Sequence, residues 1–193
     1  MSTVTAVRKN GYIAIACDTL IKWGNEKNAA HHVINHDKIM AIGENFIAVT
    51  GPAAGYHALK HFFLNQEGEV LLRSADDIFL YWRDFQKALK EDYFFESKSE
   101  ESGFETNTLD VLLINPYGIF AVGSYRDIQQ FANYYAYGAG NEYALGAMFT
   151  QFDNTSLDAK AIAELGINAA AEFSDSTALP LISHVIQEVH RDS

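Results

Sequence analysis

The sequence is poor in cysteine, proline and basic residues, and it contains no long hydrophobic run. Its 193 residues include one cysteine, Cys17, which excludes an internal disulfide and indicates a reducing compartment. With three prolines and no extended Ser/Gly run there is no obvious linker, so we predict one domain over residues 1–193. The most apolar stretches, such as residues 11–17, have the length of a strand and are too short to span a membrane.

The charge balance excludes several classes of partner. The chain has 25 acidic and 14 basic residues, for a formal net charge of −11. Nucleic acids and anionic membrane surfaces require a basic face, so neither is an expected partner. The N-terminus lacks a cationic region followed by an apolar core, which argues against a signal peptide and for a cytoplasmic location.

Hydrophobic periodicity predicts the order strands, two helices, strands, two helices, strand. Asn10-Gly11 is a strong hairpin signal between the first two strands, and Ser74 with Asp77 forms a capping box at the second helix. The polar stretch 96–108 is predicted to be a surface loop. The predicted strands are residues 4–7, 12–17, 38–42, 46–50, 109–114, 119–123 and 179–188. The predicted helices contain Tyr56 to Phe63, Ile78 to Leu89, residues 142–151 and residues 157–173, the last opened by Ser156.

Ser2 is the first residue with possible chemistry. Removal of the initiator Met would leave its α-amine free beside its own hydroxyl, and an α-amine has an ordinary pKa near 7.7–8.0. Such an amine is partly neutral at cellular pH and can accept the hydroxyl proton, so one residue could supply both nucleophile and general base. Taken alone, however, a serine at position 2 is usually only a terminus.

Short motifs along the chain give Ser2 a context. In their order and spacing they resemble the family of proteasome β subunits and HslV, which are N-terminal nucleophile hydrolases. The distance in sequence from Ser2 to Asp18 matches the family's spacing from nucleophile to catalytic aspartate, whereas Thr3 would be one residue too close. The motifs are Ser2 to Gly11, Ile13 to Asp18, Gly24-Asn25, Lys38 to Ile42, Thr50 to Ala54, Gly138-Ala139-Gly140 and Tyr143 to Gly146.

The resemblance implies a fold class. Paired helices and strands arriving as hairpins argue against a doubly wound parallel sheet. Periodicity alone leaves the arrangement open, and the family resemblance selects an α+β, four-layer αββα sandwich of two antiparallel sheets between helix pairs.

The resemblance also implies roles for individual residues. Ser2 would be the nucleophile, Lys38 would lie beside it and lower the pKa of its amine by like-charge repulsion, and Asp18 would hold the lysine. The backbone N–H of Gly51 would stabilise the oxyanion, because a glycine backbone can approach it closely. Outside the family context, Asp18 with Lys38 would be a structural ion pair and Gly51 a turn before a helix.

Three positions depart from the family pattern. Ala139 stands where a serine usually hydrogen-bonds near the nucleophile's amine. Glu172 stands where an aspartate is expected, and Asp175 stands where a second serine would follow, although Asp175 could instead replace the aspartate. These substitutions could slow, retune or abolish the proton relay.

By resemblance, Val49 would form the base of the pocket for the substrate side chain, with Ile21 and Ala53 beside it. Small to medium apolar side chains are therefore expected in a peptide or unfolded-protein substrate. The family further implies a homo-oligomer of two stacked rings, and any ATPase partner would be a separate protein. No cofactor is expected.

Other constellations are weaker. His31, His32 and His36, or His57 and His61, lack the cysteine or carboxylate partners of a known metal site, so no metal is expected. Cys17 is interpreted as a buried structural thiol. The segment 138–140 lacks the rest of a dinucleotide fingerprint.

The predicted function is peptide-bond hydrolysis through Ser2 in a proteasome-like assembly. Two alternatives remain open at the level of sequence. One is a ring subunit whose chemistry has decayed, which Ala139 and Glu172 favour. The other is an N-terminal serine enzyme acting on a small non-peptide amide.

Overall fold

The computed structural model describes residues 2–95, 98–99 and 105–189. Every strand and helix predicted from the sequence is present, with its ends shifted by a few residues at most. The helices are α1 (Ala53–Leu64), α2 (Ala75–Glu91), α3 (Asn141–Gln151) and α4 (Ala159–Phe173). The strands are β1 (Thr3–Lys9), β2 (Tyr12–Asp18), β3 (Ile21–Trp23), β4 (Glu26–Asn28), β5 (Ile39–Ile42), β6 (Asn45–Thr50), β7 (Lys98–Ser99), β8 (Glu105–Thr106), β9 (Asp110–Asn115), β10 (Gly118–Val122), β11 (Ile128–Phe131), β12 (Tyr134–Gly138) and β13 (Leu181–Gln187).

Two antiparallel sheets form the centre of the molecule. One has four strands in the order β12-β1-β2-β13, and the other has five in the order β11-β10-β9-β6-β5. The pairs β3-β4 and β7-β8 form two small hairpins apart from these sheets. No helix within the described ranges is long and apolar enough to cross a membrane.

Three apolar clusters separate four layers. The middle cluster joins the two sheets through residues such as Ile15 and Leu112. A second joins the five-stranded sheet to α1 and α2 around Leu59 and Phe85, and a third joins the four-stranded sheet to α3 and α4 around Met148 and Ile167. The arrangement confirms the predicted αββα sandwich.

The β1-β2 hairpin follows from its turn residues. Asn10 and Gly11 have φ angles of 53° and 76°, the left-handed region that a two-residue hairpin turn demands and that Asn-Gly accepts readily. Residues of β1 then alternate between its two faces, with Val4 packing toward the other sheet and Thr5 toward α4, where its hydroxyl donates to the Ala163 carbonyl.

The structure corrects some boundaries. The last helix was predicted to begin at Leu157 after Ser156, but it begins at Ala159, because Asp158 accepts a hydrogen bond from the Ala161 N–H at 2.7 Å and acts as the N-cap. The tyrosine-rich run 133–137, interpreted as a strand and interface packing, corresponds to β12, whereas the short strands β3, β4 and β11 were not predicted. The described part of the predicted 96–108 loop includes the paired strands β7 and β8, while residues 96–97 and 100–104 lie outside the described residues.

The fold brings distant parts of the chain to one end of the four-stranded sheet. In the strand register Thr3 lies opposite Gly138, Val4 opposite Cys17, and Leu181 opposite Asp18. The start of β1, the end of β2, the end of β12 and the start of β13 therefore meet there. We call this region the site end.

Candidate active site

Ser2 lies at the site end, one residue before β1. Its carbonyl oxygen accepts a hydrogen bond from the Ala139 N–H at 3.0 Å. Gly138 makes this approach possible, since its φ is +97° and a Cβ there would lie 1.8 Å from the Ser2 carbonyl oxygen. The backbone of β12 thus holds Ser2 on one side, and only glycine fits at position 138.

Asp18 holds the next residue of β1. One of its carboxylate oxygens, Oδ1, accepts a hydrogen bond from the Thr3 backbone N–H at 2.8 Å. The other, Oδ2, accepts one from the Leu20 N–H at 3.0 Å. Because the Asp18 side chain is fully buried, these contacts supply the hydrogen bonds that a buried carboxylate requires.

Lys38 completes this arrangement from the other sheet. It lies one residue before β5, and its Nζ is 3.0 Å from Asp18 Oδ2 and 2.6 Å from the Leu20 carbonyl oxygen. Its side chain is 14% exposed. The structure thus brings the predicted Asp18 and Lys38 together, and their ion pair connects the two sheets beside the residue that follows Ser2.

Cys17 lies next to this pair, with its Sγ 4.0 Å from Asp18 Oδ1. Burial, and next the negative charge of Asp18, raises the pKa of the Cys17 thiol far above its ordinary value. The thiol therefore stays protonated at physiological pH, which makes it a poor nucleophile.

Gly51 follows β6 and precedes α1. Its φ is +114°, and a Cβ at this position would lie 2.3 Å from the Thr108 carbonyl oxygen. The position requires glycine for both reasons. The interpretation of Gly51 as a turn residue and its predicted role toward an oxyanion are both compatible with this geometry.

The three predicted pocket residues lie on different elements. Ile21 is the first residue of β3 and is half-buried, whereas Ala53 is the first residue of α1 and is exposed. Val49, near the end of β6, is 8% exposed and packs in the cluster between the five-stranded sheet and its helices. Their contact with a substrate stays a prediction.

The three positions that depart from the family pattern lie differently from one another. Ala139 is exposed and contacts Ser2 through its backbone N–H. Glu172 is exposed in the last turn of α4. The Asp175 carboxylate is 79% exposed, lies 2.6 Å from the Lys22 Nζ and accepts a hydrogen bond from the Ser176 hydroxyl.

The hydrogen bond from Lys22, followed by the one from Ser176, lowers the pKa of Asp175 below its ordinary value. Among the described residues, neither the Glu172 nor the Asp175 carboxylate hydrogen-bonds to Ser2. The roles of Glu172 and Asp175 at the nucleophile stay predictions.

Sequence reasoning missed two residues that contact Thr3. The Thr3 hydroxyl oxygen accepts a hydrogen bond from the Gly140 N–H at 2.9 Å and lies 2.6 Å from the Thr177 hydroxyl oxygen. Thr3 is 0% and Thr177 is 3% exposed. Thr177 follows α4, 174 residues after Thr3, in a segment without a motif, so no local signal could have identified it.

Within residues 2–95, 98–99 and 105–189, no three His, Cys, Asp or Glu side chains are grouped so that they could hold a metal ion. His31 and His32 lie against each other with ring centroids 3.9 Å apart, and the ring of His61 contacts Tyr93.

Comparison with solved structures gives the same fold. HslV from Trypanosoma brucei matches with a TM-score of 0.72 over 96% of this chain and 99% of that chain. At 16% identity this likeness concerns the fold alone. No family model matches the chain.

Two structures of BPH, the bacterial proteasome homologue, from Thiobacillus denitrificans are much closer in sequence. One is 45% identical, with a TM-score of 0.91 over 97% of this chain and 98% of that chain. The other, a complex with epoxomicin, is 44% identical, with a TM-score of 0.93 over 97% of this chain and 100% of that chain. Identity at this level over nearly the full length shows the family, and the chain therefore belongs to the bacterial proteasome homologues within the proteasome β-subunit and HslV family of N-terminal nucleophile hydrolases.

Proposed function

We propose that the chain is a proteasome-type peptidase in which Ser2, released by removal of Met1, is the nucleophile. The observation that carries the proposal is the buried Asp18, which holds the Thr3 N–H with one oxygen and the Lys38 ammonium with the other. These two contacts fix the Lys38 ammonium relative to Thr3, the residue that follows Ser2. An N-terminal nucleophile needs both a fixed position and a nearby positive charge.

The choice of Ser2 over Thr3 rests on accessibility. The Thr3 hydroxyl is fully buried and hydrogen-bonded to Gly140, so a substrate carbonyl could not reach it. Ser2 is only partly buried and lies just ahead of the strand. Serine lacks the methyl group that restricts the rotamer of threonine, so the protein must position the Ser2 side chain by other contacts.

The reaction follows from these groups. The neutral α-amine of Ser2 accepts the hydroxyl proton, directly or through a water, as Ser2 Oγ attacks the substrate carbonyl carbon. The carbonyl π electrons move to oxygen, and the Gly51 N–H stabilises the resulting oxyanion. Collapse breaks the C–N bond, the leaving amine takes the proton, and an ester on Ser2 remains. A water, giving a proton to the α-amine, then adds to the ester carbonyl. The C–Oγ bond breaks, the carboxylic acid product leaves, and the proton returns to Ser2 Oγ.

Lys38 contributes electrostatically. Its ammonium, held by Asp18, favours the neutral form of a nearby α-amine and stabilises negative charge developing on Ser2 Oγ. The backbone N–H of Ala139 holds the Ser2 carbonyl oxygen. This contact does not require a serine side chain at position 139. We assign no proton-transfer step to Glu172 or Asp175.

The substrate proposed is a peptide or unfolded protein with a small to medium apolar side chain, bound over Val49 between Ile21 and Ala53. The Thiobacillus relative was solved with epoxomicin, and we propose that the same compound binds the Ser2 site here. As in the family, the chain would work as one domain in a cytoplasmic homo-oligomer of stacked rings, with any ATPase partner a separate protein.

Exposed aromatic side chains on the outer layer support assembly with further copies. Tyr143 and Phe173 lie on α3 and α4 with their ring centroids 5.6 Å apart, and Phe149 follows on α3. Phe149 is 73% and Phe173 is 68% exposed, so both rings are accessible to a partner surface. A second copy would cover them.

The first experiment is an intact mass of the purified protein before and after incubation with epoxomicin. We expect loss of Met1 and one adduct per chain that maps to Ser2. Ser2→Ala should form no adduct and should lose peptidase activity by a factor on the order of 10³ or more. Size-exclusion chromatography of this variant checks that the assembly is intact.

The outcomes separate the alternatives. An unmodified chain with a free Ser2 amine would contradict the proposal and favour a decayed subunit. Hydrolysis of acyl-amide but not of peptide substrates would favour the small-amide enzyme. If the purified chain retains Met1, the protein is made as a cleavable fusion that exposes Ser2, and the same measurement is repeated.

A further inference from the structure

The start of β1 is held at two successive residues by different means. Ser2 is held through its carbonyl oxygen by the Ala139 N–H. Thr3 is held through its N–H by Asp18 and through its side-chain oxygen by the Gly140 N–H and the Thr177 hydroxyl. The side-chain hydrogen bonds at this point are made by the Thr3 hydroxyl, because residue 139 is an alanine and has no side-chain hydrogen-bonding group.

The two threonine hydroxyls are closely confined. A Cβ at Gly140 would lie 2.8 Å from Thr3 Oγ1, 3.1 Å from Thr177 Oγ1 and 2.6 Å from the Ala170 Cβ. Both threonines are almost completely buried, so water cannot replace either hydroxyl without a rearrangement. The pair therefore has one arrangement, set by α4, the N-terminal end of α3 and the start of β1.

The segment that carries Thr177 is itself tied to the strands around the site. Thr19, just after β2, donates a hydrogen bond to the Pro180 carbonyl at 2.6 Å. Lys22, in β3, pairs with Asp175. Thr177 lies between these two contacts, and the hydrogen bond from Thr19 to the Pro180 backbone attaches its segment to the end of β2.

We propose that Thr3 and Thr177 form a positioning pair that orients the Ser2 amine and hydroxyl for reaction. The proposal rests on the function proposed for Ser2 and adds residues to which that function assigns no role. Neither threonine touches the substrate. They act through the peptide that joins Ser2 to Thr3, whose N–H is held by Asp18 and whose carbonyl is held by Ala139.

The expected effect of losing the pair is on rate. Valine has nearly the shape of threonine but no hydroxyl, so Thr3→Val leaves the buried Gly140 N–H and the Thr177 hydroxyl without their partner. A small displacement of a reacting atom can lower a rate by up to about 100-fold without preventing substrate binding. The loss should therefore be in kcat and leave KM nearly unchanged.

The chain offers a matched control in the same strand. Thr5 lies two residues further along β1 on the same face, is fully buried, and donates its hydroxyl to the Ala163 carbonyl of α4 at 2.9 Å. Thr5→Val removes a comparable buried hydrogen bond without touching the contacts of Ser2. Thr3→Ser keeps the hydroxyl at position 3 and serves as the rescue variant.

The experiment measures kcat and KM on a fluorogenic peptide for the four variants Thr3→Val, Thr177→Val, Thr3→Ser and Thr5→Val. We expect kcat to fall about 10- to 100-fold in Thr3→Val and Thr177→Val, with KM within about twofold of the unmodified protein. Thr3→Ser should stay within about threefold and Thr5→Val within about twofold of the unmodified kcat. Equal losses in Thr3→Val and Thr5→Val would overturn the proposal.

A second readout does not depend on peptidase activity. Carbamoylation of the Ser2 α-amine by cyanate, followed by intact mass across pH, gives the midpoint at which this amine becomes reactive. In Thr3→Val the midpoint should move toward that of a free terminal amine, about 7.7–8.0, and in Thr5→Val it should not move. An unchanged midpoint in Thr3→Val would contradict the positioning role.

The two proposals can fail separately. Peptidase activity that survives Ser2→Ala would contradict the nucleophile assignment, while the cyanate midpoints would still decide whether Thr3 and Thr177 position the terminus.

Discussion

The two ends of the four-stranded sheet are held together by different kinds of contact. At the site end, Thr3 is fixed by its own N–H and hydroxyl against a buried carboxylate and a backbone N–H. At the opposite end, where β1 turns into β2, long side chains make the contacts. There the Arg8 guanidinium pairs with Glu188, and the Lys9 Nζ reaches the Asn154 carbonyl at 2.7 Å.

The difference concerns how much freedom each contact leaves. Backbone groups, hydroxyls and a buried aspartate have few rotatable bonds, so they fix atoms to within a fraction of an ångström. Arginine and lysine side chains can adjust when a partner moves, and ion pairs near the surface stabilise proteins by less than about 1 kcal/mol. We infer that the site end positions atoms, whereas the other end only closes a hairpin.

The largest effect is expected from the shared carboxylate. Asp18→Asn leaves the nearly buried Lys38 ammonium without its partner, which should destabilise the protein by about 3 kcal/mol. Loss of the lysine's position should also lower kcat by a factor on the order of 10³. Denaturant unfolding and peptide hydrolysis measure the two effects.

Glu188→Gln at the hairpin end is the matched control for this change. It removes a comparable charge from an ion pair, yet kcat should not change and stability should fall by less than about 1 kcal/mol. If Glu188→Gln lowers kcat as Asp18→Asn does, the contrast between the two ends is wrong.

Glycines at the two ends provide a smaller and more local test. Gly11 has a φ of +76° and open space around its Cα, so Gly11→Ala should cost only the left-handed strain, about 1 kcal/mol. Gly138→Ala adds a collision with the Ser2 carbonyl to similar strain. It should displace Ser2 and lower kcat on the order of 10-fold or more, as active-site labelling with epoxomicin would show.

An equal labelling rate in Gly138→Ala and Gly11→Ala would mean that β12 does not hold Ser2. The strain from positive φ is common to both variants. The unfolding midpoint of each variant therefore shows how much of its loss of activity comes from loss of folded protein.

The sequence predicted the parts of the molecule that carry local patterns. The Asn10-Gly11 turn and the apolar alternation of β1 and β2 depend on residues close together in the sequence. The four-layer arrangement was predicted from a series of motifs that resemble those of the family. The pairing of Asp18 with Lys38 was predicted from the family resemblance, and the structure brings the two together at 3.0 Å. In the β1-β2 register Val4 lies opposite Cys17, which places Asp18 beside the start of β1.

Contacts between distant segments could not be predicted. Nothing near Thr177 indicates that its hydroxyl meets Thr3, because the contact depends on how α4 ends and where the chain returns to β13. The family resemblance suggested a relay role for Asp175, but it gave no indication that the Lys22 Nζ would lie 2.6 Å from the Asp175 carboxylate. Side-chain direction in loops depends on tertiary packing, which local sequence does not encode.

The smallest effect concerns a carboxylate of the five-stranded sheet, close in register to Gly51. Asp110 begins β9 opposite Thr50, the residue before Gly51. Burial raises the pKa of Asp110 above its ordinary value; a backbone hydrogen bond from Ser124 opposes this increase, and the charge of Asp127 adds to it. A carboxyl whose pKa is raised by folding favours the folded state while protonated, and this contribution is lost as pH rises through the raised pKa.

Asp110→Asn removes that pH dependence. The variant should gain stability relative to the unmodified protein as pH rises above the ordinary aspartate range, and the gain should vanish at lower pH, because the protonated acid and the amide are both neutral. Denaturant midpoints from about pH 4 to about pH 8 measure the difference, with the exposed Glu67→Gln as a control that should stay flat. A loss of stability at neutral pH in Asp110→Asn would mean that the Asp110 charge is compensated in the folded protein, as the Asp18 charge is by Lys38. A buried charge near the site would then not depend on a lysine partner.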